Sequence, residues 1–174
     1  MHTKWCVISG PPCSGKTTLV SELETLGYPV VHEVARSLIE ANLQRDITIQ
    51  DIQARKANLQ HEILRQKLAI ERHLPENRLI FFDRGIPDSI AYFKLAGLDP
   101  RQVVSAAHRF RYERVFFLEP VAYRKDSVRL EEVSTAATLG ESLERSYMLV
   151  GYKPVRIPCM NTEKRIARIF DHVP

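Results

Sequence analysis

Five short runs of apolar residues alternate along the chain with longer segments in which apolar positions recur every three or four residues. The runs are continuous in Val, Ile and Phe, which is typical of strands buried on both faces. They lie at residues 4–9, 29–32, 78–83, 114–118 and 153–158. Because strands that alternate with helices form parallel crossovers, the pattern predicts an α/β fold with a five-stranded parallel sheet and helices on both faces.

The segments between these runs carry residues that commonly begin or end helices. We expect helices at residues 15–26, 48–73, 138–150 and 161–171. In the third segment, Thr138 and Glu141 have the spacing of a capping box, which predicts that the helix begins there. Gly140 lies inside the same helical pattern, and the sequence offers no reason for a glycine at this position.

Length and composition limit the classes of protein to which this chain can belong. The chain has 174 residues, of which 44% are hydrophobic and 26% charged, and this fits a single domain spanning residues 1–174. The formal net charge of +4 suits an anionic ligand but is too small to indicate a nucleic-acid partner. No apolar run approaches the roughly 18 residues of a membrane-spanning helix, so we expect no membrane span.

The cysteines indicate a redox compartment. Cys6, Cys13 and Cys159 are odd in number and lack the spacing of a structural zinc site. Free thiols of this kind are typical of reduced intracellular proteins, so the sequence predicts a cytoplasmic location.

The strongest motif follows the first predicted strand. Residues 10–17 read GPPCSGKT and match GxxxxGK[ST], the loop in which backbone N–H groups bind the phosphates of a nucleotide. We expect Lys16 to contact the β- and γ-phosphates and Thr17 to bind Mg²⁺. The predicted nucleotide-binding residues of this loop are Gly10, Cys13, Ser14, Gly15, Lys16, Thr17 and Thr18.

The third predicted strand ends in Asp83, which is followed by Arg84 and Gly85. A carboxylate at this strand end would bind Mg²⁺ together with Thr17, although such an aspartate can also cap the next helix. Hydrolytic motor ATPases usually place a glutamate after this aspartate, and a cation such as Arg84 cannot act as a base. The [NT]KxD motif that reads guanine is also missing from the sequence. Both observations argue against hydrolysis-driven machines and ordinary GTPase switches.

Two charged residues follow the second predicted strand. Glu33 would lie beside the phosphate loop, where a carboxylate accepts the proton of an acceptor hydroxyl or orients that hydroxyl. Arg36, one helical turn later, would share its face and hold an anionic acceptor or the transferred phosphoryl group. The alternative is a surface ion pair between Glu33 and Arg36 on the first turn of a helix.

Residues 119–137 have the weakest periodicity of the chain and form either a surface loop or a mobile lid. Arg124 and Arg129 lie in this segment with a lysine between them. Lids of small-molecule kinases bring arginines onto the transferred phosphoryl group, so we expect both arginines to be catalytic. The alternative is a solvated basic loop.

Taken together, these motifs resemble those of the small AAA domain family of ATPases and kinases. The resemblance rests on the phosphate loop and on three patterns: E-x-x-R at Glu33, D-R-G at Asp83, and Y-R-x-D-x-x-R, which contains Arg124. It spans nearly the whole chain. That family is related to the ribosylnicotinamide kinase domain of a bifunctional regulator of NAD biosynthesis. The order of the motifs is also similar to that of deoxynucleoside kinases and, more loosely, of polynucleotide kinases.

The resemblance implies a P-loop fold like that of nucleoside monophosphate kinases, ATP and Mg²⁺ as ligands, and phosphoryl transfer as the chemistry. Arg36, Arg84 and Asp88 are our candidates for holding the acceptor. Asn161 and Thr162, after the last strand, are expected to frame the nucleotide base, although either could equally cap the last helix.

The sequence therefore favours an ATP- and Mg²⁺-dependent kinase for a small acceptor that carries a hydroxyl or phosphate group, nucleoside-like acceptors included. One alternative is a regulatory module that binds ATP or GTP with little turnover. Another is a kinase that acts on the end of a nucleic acid, which the modest net charge argues against.

Overall fold

The computed structural model describes residues 1–44, 48–120 and 130–173. These residues form a sheet of five parallel strands in the order β2-β3-β1-β4-β5. The strands are β1 (Trp5–Ser9), β2 (Val30–Val31), β3 (Ile80–Asp83), β4 (Arg114–Leu118) and β5 (Val155–Ile157). The predicted five-stranded parallel sheet is confirmed, with β4 at its predicted bounds and the other strands shorter than predicted.

The described part of the chain contains eight helices. They are α1 (Lys16–Thr25), α2 (Val34–Leu43), α3 (Ile49–Ala54), α4 (Lys56–His73), α5 (Asp88–Leu95), α6 (Arg101–Ala107), α7 (Leu130–Leu149) and α8 (Thr162–Phe170). Among the described residues, none of these helices combines the length and the apolar character that crossing a membrane requires.

Helices cover both faces of the sheet. Trp5 of β1 packs into a buried cluster that includes Phe93 of α5. Ile8 of β1 points to the opposite face, because side chains alternate along a strand, and there it packs with Leu19 of α1 and Ile169 of α8. The prediction of a two-sided α/β fold is therefore confirmed.

The carboxyl ends of the central strands meet at one edge of the sheet. Ile8 of β1 pairs with Asp83 of β3, and Ser9 pairs with Phe117 of β4. The chain leaves β1 toward the β2–β3 side and later crosses to the β4–β5 side. In open parallel sheets such a reversal creates a crevice at the carboxyl edge, and ligands bind there.

Helix α7 begins at Leu130, well before the predicted capping box. The prediction that a helix begins at Thr138 is therefore wrong, because residues 130–137 already belong to the same helix. This helix also shortens the expected lid at residues 119–137. Arg124 and Arg129, in residues 121–129, lie outside the described residues.

The helical segment predicted at residues 48–73 is divided in two. Its first turn is capped at Thr48, whose hydroxyl donates to Asp51 Oδ2 at 2.6 Å and accepts from the Asp51 N–H at 3.2 Å. The chain leaves helical geometry at Arg55, where φ is −101° and ψ is 24°, and this residue separates α3 from α4. The expectation of one continuous helix is therefore wrong.

Gly140 faces the phosphate loop from inside α7. A Cβ atom at this position would lie 3.2 Å from Cβ of Pro11, which is closer than side chains normally approach. The absence of a side chain lets α7 pack directly against the loop. This close approach explains a glycine that costs helix stability elsewhere.

Candidate functional site

The phosphate loop connects β1 to α1 at the carboxyl edge of the sheet. Cys13 and Gly15 adopt left-handed backbone geometry, with φ of 59° and 84°. The Leu19 N–H donates to Gly15 O at 3.1 Å, and among the described residues no acceptor binds the N–H groups of residues 13–18. Unpaired N–H groups at the N-terminus of a ten-residue helix form the kind of site that binds phosphate.

Lys16 is buried at the start of α1, and its ammonium group lies against the loop. Nζ donates to Pro11 O at 2.7 Å, to Gly10 O at 3.1 Å and to Ser14 Oγ at 3.2 Å. Burial, together with the nearby Arg84 cation, lowers the pKa of Lys16 to about 8. A bound phosphate would offer this cation a charged partner in place of neutral acceptors.

The remaining residues of the loop are either exposed to solvent or packed against the sheet. Cys13, Thr17 and Thr18 are exposed, so their side chains are open to a ligand. Gly10 lies at the back, where a Cβ atom would come within 2.7 Å of Leu118 O. Gly10 therefore lets the loop pack directly on the end of β4.

Asp83 ends β3 beside the loop and is 4% exposed. Its Oδ1 is the one buried side-chain polar atom of the described residues that has no hydrogen-bond partner. Burial, followed by repulsion from Glu33, raises the pKa of Asp83 to about 6. A divalent cation held between Asp83 and the Thr17 hydroxyl would relieve both unfavourable effects, so these residues fit Mg²⁺.

The metal site would be completed by the ligand and not by protein alone. In the parts of the chain that the structure describes, no group of three or more His, Cys, Asp or Glu side chains could hold a metal ion. Mg²⁺ in nucleotide sites usually takes few protein ligands and completes its shell with phosphate oxygens and water.

Glu33 precedes α2 and faces Arg84. The Arg84 Nε donates to Glu33 Oε1 at 2.9 Å. Arg36 instead pairs with Glu40 at 3.6 Å, and its side chain is 59% exposed. The alternative of a surface pair between Glu33 and Arg36 is therefore wrong, because Arg84 reaches Glu33 from the neighbouring strand. Contact between Arg36 and an acceptor stays a prediction.

Arg84 is buried where the chain leaves β3, with φ of 70°. Its Nη1 lies 3.3 Å from both Asp88 Oδ1 and Gly10 O. The guanidinium carbon lies 5.5 Å from the ring centroid of Tyr92. Arg84 thus bridges the carboxylates of Glu33 and Asp88 and ties both to the phosphate loop.

Asp88 has no exposed surface. Besides Arg84, its carboxylate accepts hydrogen bonds from Ser9 Oγ at 2.6 Å, from the Gly85 N–H at 2.9 Å and from the Tyr147 hydroxyl. The prediction that Asp88 holds an acceptor directly does not fit this environment, because protein groups already surround both oxygens. Its contacts instead fix the turn that carries Arg84.

Further buried polar groups support this turn from the side of α4. Lys67 Nζ donates to Gly85 O at 2.8 Å, and the Ile86 N–H donates to the Tyr112 hydroxyl at 2.9 Å. Tyr112 donates in turn to Glu71, whose pKa is raised to about 7 by burial. Sequence reasoning missed these residues. The available signal was a lysine and a glutamate four positions apart on the apolar face of α4.

Asn161 precedes α8 and caps it, since its Oδ1 accepts the Lys164 N–H at 2.9 Å. The capping interpretation of this residue is confirmed, and Thr162 is the first residue of the helix. Contact between these two residues and a nucleotide base stays a prediction. The same holds for the catalytic roles expected of Arg124 and Arg129, which lie outside the described residues.

Several solved structures share this fold. A NadR protein in complex with NR superposes with a TM-score of 0.73 at 18% identity, covering 98% of this chain and 52% of that chain. Thymidylate kinase from Ehrlichia chaffeensis gives 0.66 at 13% identity, with 98% and 97% covered. Deoxyadenosine kinase from M. mycoides, with dCMP and dCDP bound, gives 0.60 at 19% identity, with 96% of each chain covered. The chain spans about half the length of the NadR protein.

These structures show that the chain has the fold of P-loop kinases. Comparison with curated protein sequences finds no match. A family model described as an AAA domain matches residues 5–165, which is most of the 174-residue chain. The chain therefore belongs to the AAA domain family.

Proposed function

We propose that this protein transfers the γ-phosphoryl group of Mg·ATP to a hydroxyl group of a small acceptor. The observation that carries the proposal is that Lys16, Asp83 and Glu33 lie around one point of the carboxyl edge of the sheet. Lys16 donates to Gly10 O, and Arg84, which follows Asp83, bonds both Gly10 O and Glu33. The fold shared with thymidylate kinase and deoxyadenosine kinase supports phosphoryl transfer as the reaction.

The nucleotide would bind to the phosphate loop. The unpaired N–H groups of residues 13–18 would hold phosphate oxygens, and Lys16 would contact the β- and γ-phosphates. Thr17 and Asp83 would hold Mg²⁺, which neutralises part of the phosphate charge. Arg124 and Arg129 would add positive charge from the β4–α7 segment. GTP is the alternative nucleotide.

Glu33 is the proposed base. Its side chain is 25% exposed, and Arg84 occupies only Oε1, which leaves Oε2 for a substrate. As the acceptor oxygen bonds to the γ-phosphorus, the bond to the bridging oxygen breaks and ADP leaves. The acceptor proton passes to Glu33.

The charges around Glu33 favour a neutral hydroxyl acceptor, such as a nucleoside-like compound, over a phosphate-bearing one. The positive charge of Arg84 is already balanced by two carboxylates. Lys67 is buried against Gly85, and Arg36 is paired with Glu40 on its own helix. Arg84 and Arg36 are thus paired with carboxylates, and Lys67 is buried, so none of the three presents an accessible, unpaired charge to an acceptor phosphate.

We also propose that the protein works in the cytoplasm. Cys6, Cys13 and Cys159 are all free, and a reducing compartment keeps thiols in that state.

A screen of small acceptors with Mg·ATP tests the proposal. Neutral hydroxyl compounds and their monophosphates are compared by acceptor-dependent release of ADP. We expect release with a neutral acceptor, a fall of about 10²–10³-fold in Lys16→Ala, and no change in Lys153→Ala, which removes an exposed lysine. Tight ATP binding with no acceptor-dependent release would contradict the proposal and favour a regulatory nucleotide-binding module.

A further inference from the structure

Arg165 of α8 connects three loops around the proposed nucleotide site. Its Nη1 donates to Ser14 O, its Nη2 donates to Glu119 O at 3.1 Å, and its Nε donates to Pro158 O at 3.1 Å. Ser14 belongs to the phosphate loop, Glu119 follows β4 and Pro158 follows β5. One guanidinium group therefore links the phosphate loop to the ends of the two strands beside it.

The burial of Arg165 is costly. Its side chain is 3% exposed, and no carboxylate among the described residues forms an ion pair with it. Carbonyl groups satisfy its donors, but they do not neutralise its charge. An apolar side chain of similar volume would avoid the buried charge but would leave three carbonyl oxygens without this donor, so the arginine is explained by the carbonyls that it binds and not by packing alone.

The bond to Ser14 sets the direction of one peptide group in the phosphate loop. In a trans peptide, the C=O of Ser14 and the N–H of Gly15 point in opposite directions, and the described residues contain no cis peptide. Because Arg165 draws the Ser14 carbonyl toward α8, the Gly15 N–H points away from α8. This N–H has no acceptor among the described residues.

The contact between Arg165 and the loop is direct. A Cβ atom on Gly15 would lie 3.3 Å from Arg165 Nη1, so the guanidinium packs against the backbone of the loop. A positive charge at this distance adds to the favourable potential that the N-terminus of α1 offers to an anion.

We propose that Arg165 is a positioning residue for the nucleotide phosphates: it holds the Ser14 carbonyl so that the Gly15 N–H points toward the bound phosphate, and it places a buried positive charge behind the loop. Its bonds to Glu119 and Pro158 keep the neighbouring loops in a fixed relation to the phosphate loop. The inference rests on the nucleotide-binding half of the proposed function and is independent of the acceptor.

Isothermal titration calorimetry of four proteins tests this role. Wild type is compared with Arg165→Lys, Arg165→Met and the matched control Arg168→Met, which removes an exposed arginine from the same helix. Lysine keeps the charge, but one ammonium group cannot hold three carbonyls in the geometry of a guanidinium. The ligands are Mg·ATP and Mg·tripolyphosphate, which has no base or ribose.

We expect both Arg165 variants to bind both ligands roughly 10–100-fold more weakly, and Arg168→Met to bind them as wild type does. Far-UV circular dichroism and urea unfolding establish that each variant is folded. Wild-type affinity of folded Arg165→Lys for Mg·tripolyphosphate would overturn the inference. So would a loss confined to Mg·ATP, because Arg165 would then act only on the base side of the site.

A second measurement needs no variant. In an amide NMR spectrum of the wild type, the Gly15 resonance is expected to move strongly when Mg·tripolyphosphate is added, and an unchanged Gly15 resonance at saturation would overturn the inference. Binding of ATP without transfer to any acceptor would contradict the proposed transfer reaction and leave the role of Arg165 intact. If the wild type transfers phosphoryl groups and Arg165→Lys binds ATP normally, the transfer reaction is supported and the role of Arg165 is contradicted.

Discussion

Arg84 Nε lies 2.9 Å from Glu33 Oε1, and this contact joins the end of β3 to the start of α2. The Arg84 side chain is 6% exposed, whereas that of Glu33 is 25% exposed. The buried cation therefore fixes one oxygen of a carboxylate that still reaches solvent. A carboxylate held in this way has a fixed orientation without being enclosed.

The role of Glu33 as a base predicts that Glu33→Gln lowers kcat by about 10²–10⁴-fold. The KM for ATP should change little, because the proposed partner of Glu33 is the acceptor and not the nucleotide. Steady-state kinetics with an acceptor found in the screen measure both values. Glu22→Gln, which changes an exposed glutamate of α1, is the control. A kcat within about threefold of wild type would contradict the assignment.

The unpartnered Oδ1 of Asp83 predicts that Asp83→Asn removes the dependence of ATP binding on Mg²⁺. An amide is a weaker ligand than a carboxylate for this hard cation. Titrations of ATP with Mg²⁺ and with EDTA measure the dependence. Wild type should bind ATP more weakly in EDTA, whereas the variant should bind equally in both. An unaltered response to Mg²⁺ in the variant would argue against Asp83 as a ligand.

Without nucleotide or metal, the same substitution should stabilise the fold at high pH. Folding raises the pKa of Asp83 from 3.8 to about 6, mainly through burial. Protonation of Asp83 therefore stabilises the folded state. This stabilisation is fully present below the unfolded pKa of 3.8 and is lost as the pH rises through about 6. At pH 8, Asp83→Asn should have a free energy of unfolding roughly 2–3 kcal/mol above that of wild type.

Urea unfolding at several pH values measures whether Asp83→Asn is more or less stable than wild type. The difference between Asp83→Asn and wild type should shrink as the pH falls below about 6, because wild-type Asp83 then becomes neutral as well. A variant that is less stable than wild type at pH 8 would show that the carboxylate is satisfied in the free protein.

The hydroxyl of Tyr147 donates to Asp88 and accepts the Gly85 N–H, so Tyr147→Phe leaves two buried groups short of a partner. We expect the free energy of unfolding to fall by about 1–3 kcal/mol, measured by urea unfolding. Tyr28→Phe is the control, because the Tyr28 hydroxyl makes no hydrogen bond with any described residue. Equal losses in the free energy of unfolding for the two substitutions would contradict a role of Tyr147 in supporting the turn at Gly85.

Local patterns were sufficient to predict the sheet and the phosphate loop. Strands buried on both faces appear as continuous apolar runs, and residues 10–17 carry a contiguous motif whose geometry depends on near neighbours. Local patterns misled at Thr138, because a capping-box spacing also occurs by chance inside a helix that starts earlier, at Leu130.

The partners within the candidate site could not be predicted in this way. Arg84 pairs with Glu33 across 51 residues, and Arg165 contacts Ser14 across 151 residues. Such contacts are set by which strands become neighbours in the sheet and by how the last helix packs, and no spacing along the chain encodes either. The sequence left open a surface pair between Glu33 and Arg36, which are close along the chain, whereas the fold gives each a different partner.

Mass spectrometry of the acceptor, after incubation with Mg·ATP, distinguishes phosphoryl transfer from hydrolysis of ATP. Wild type should add one phosphoryl group to the acceptor in an amount equal to the ADP formed, and Lys16→Ala should add almost none. Conversion of ATP to ADP and free phosphate, with the acceptor unmodified, would contradict phosphoryl transfer as the function of this site.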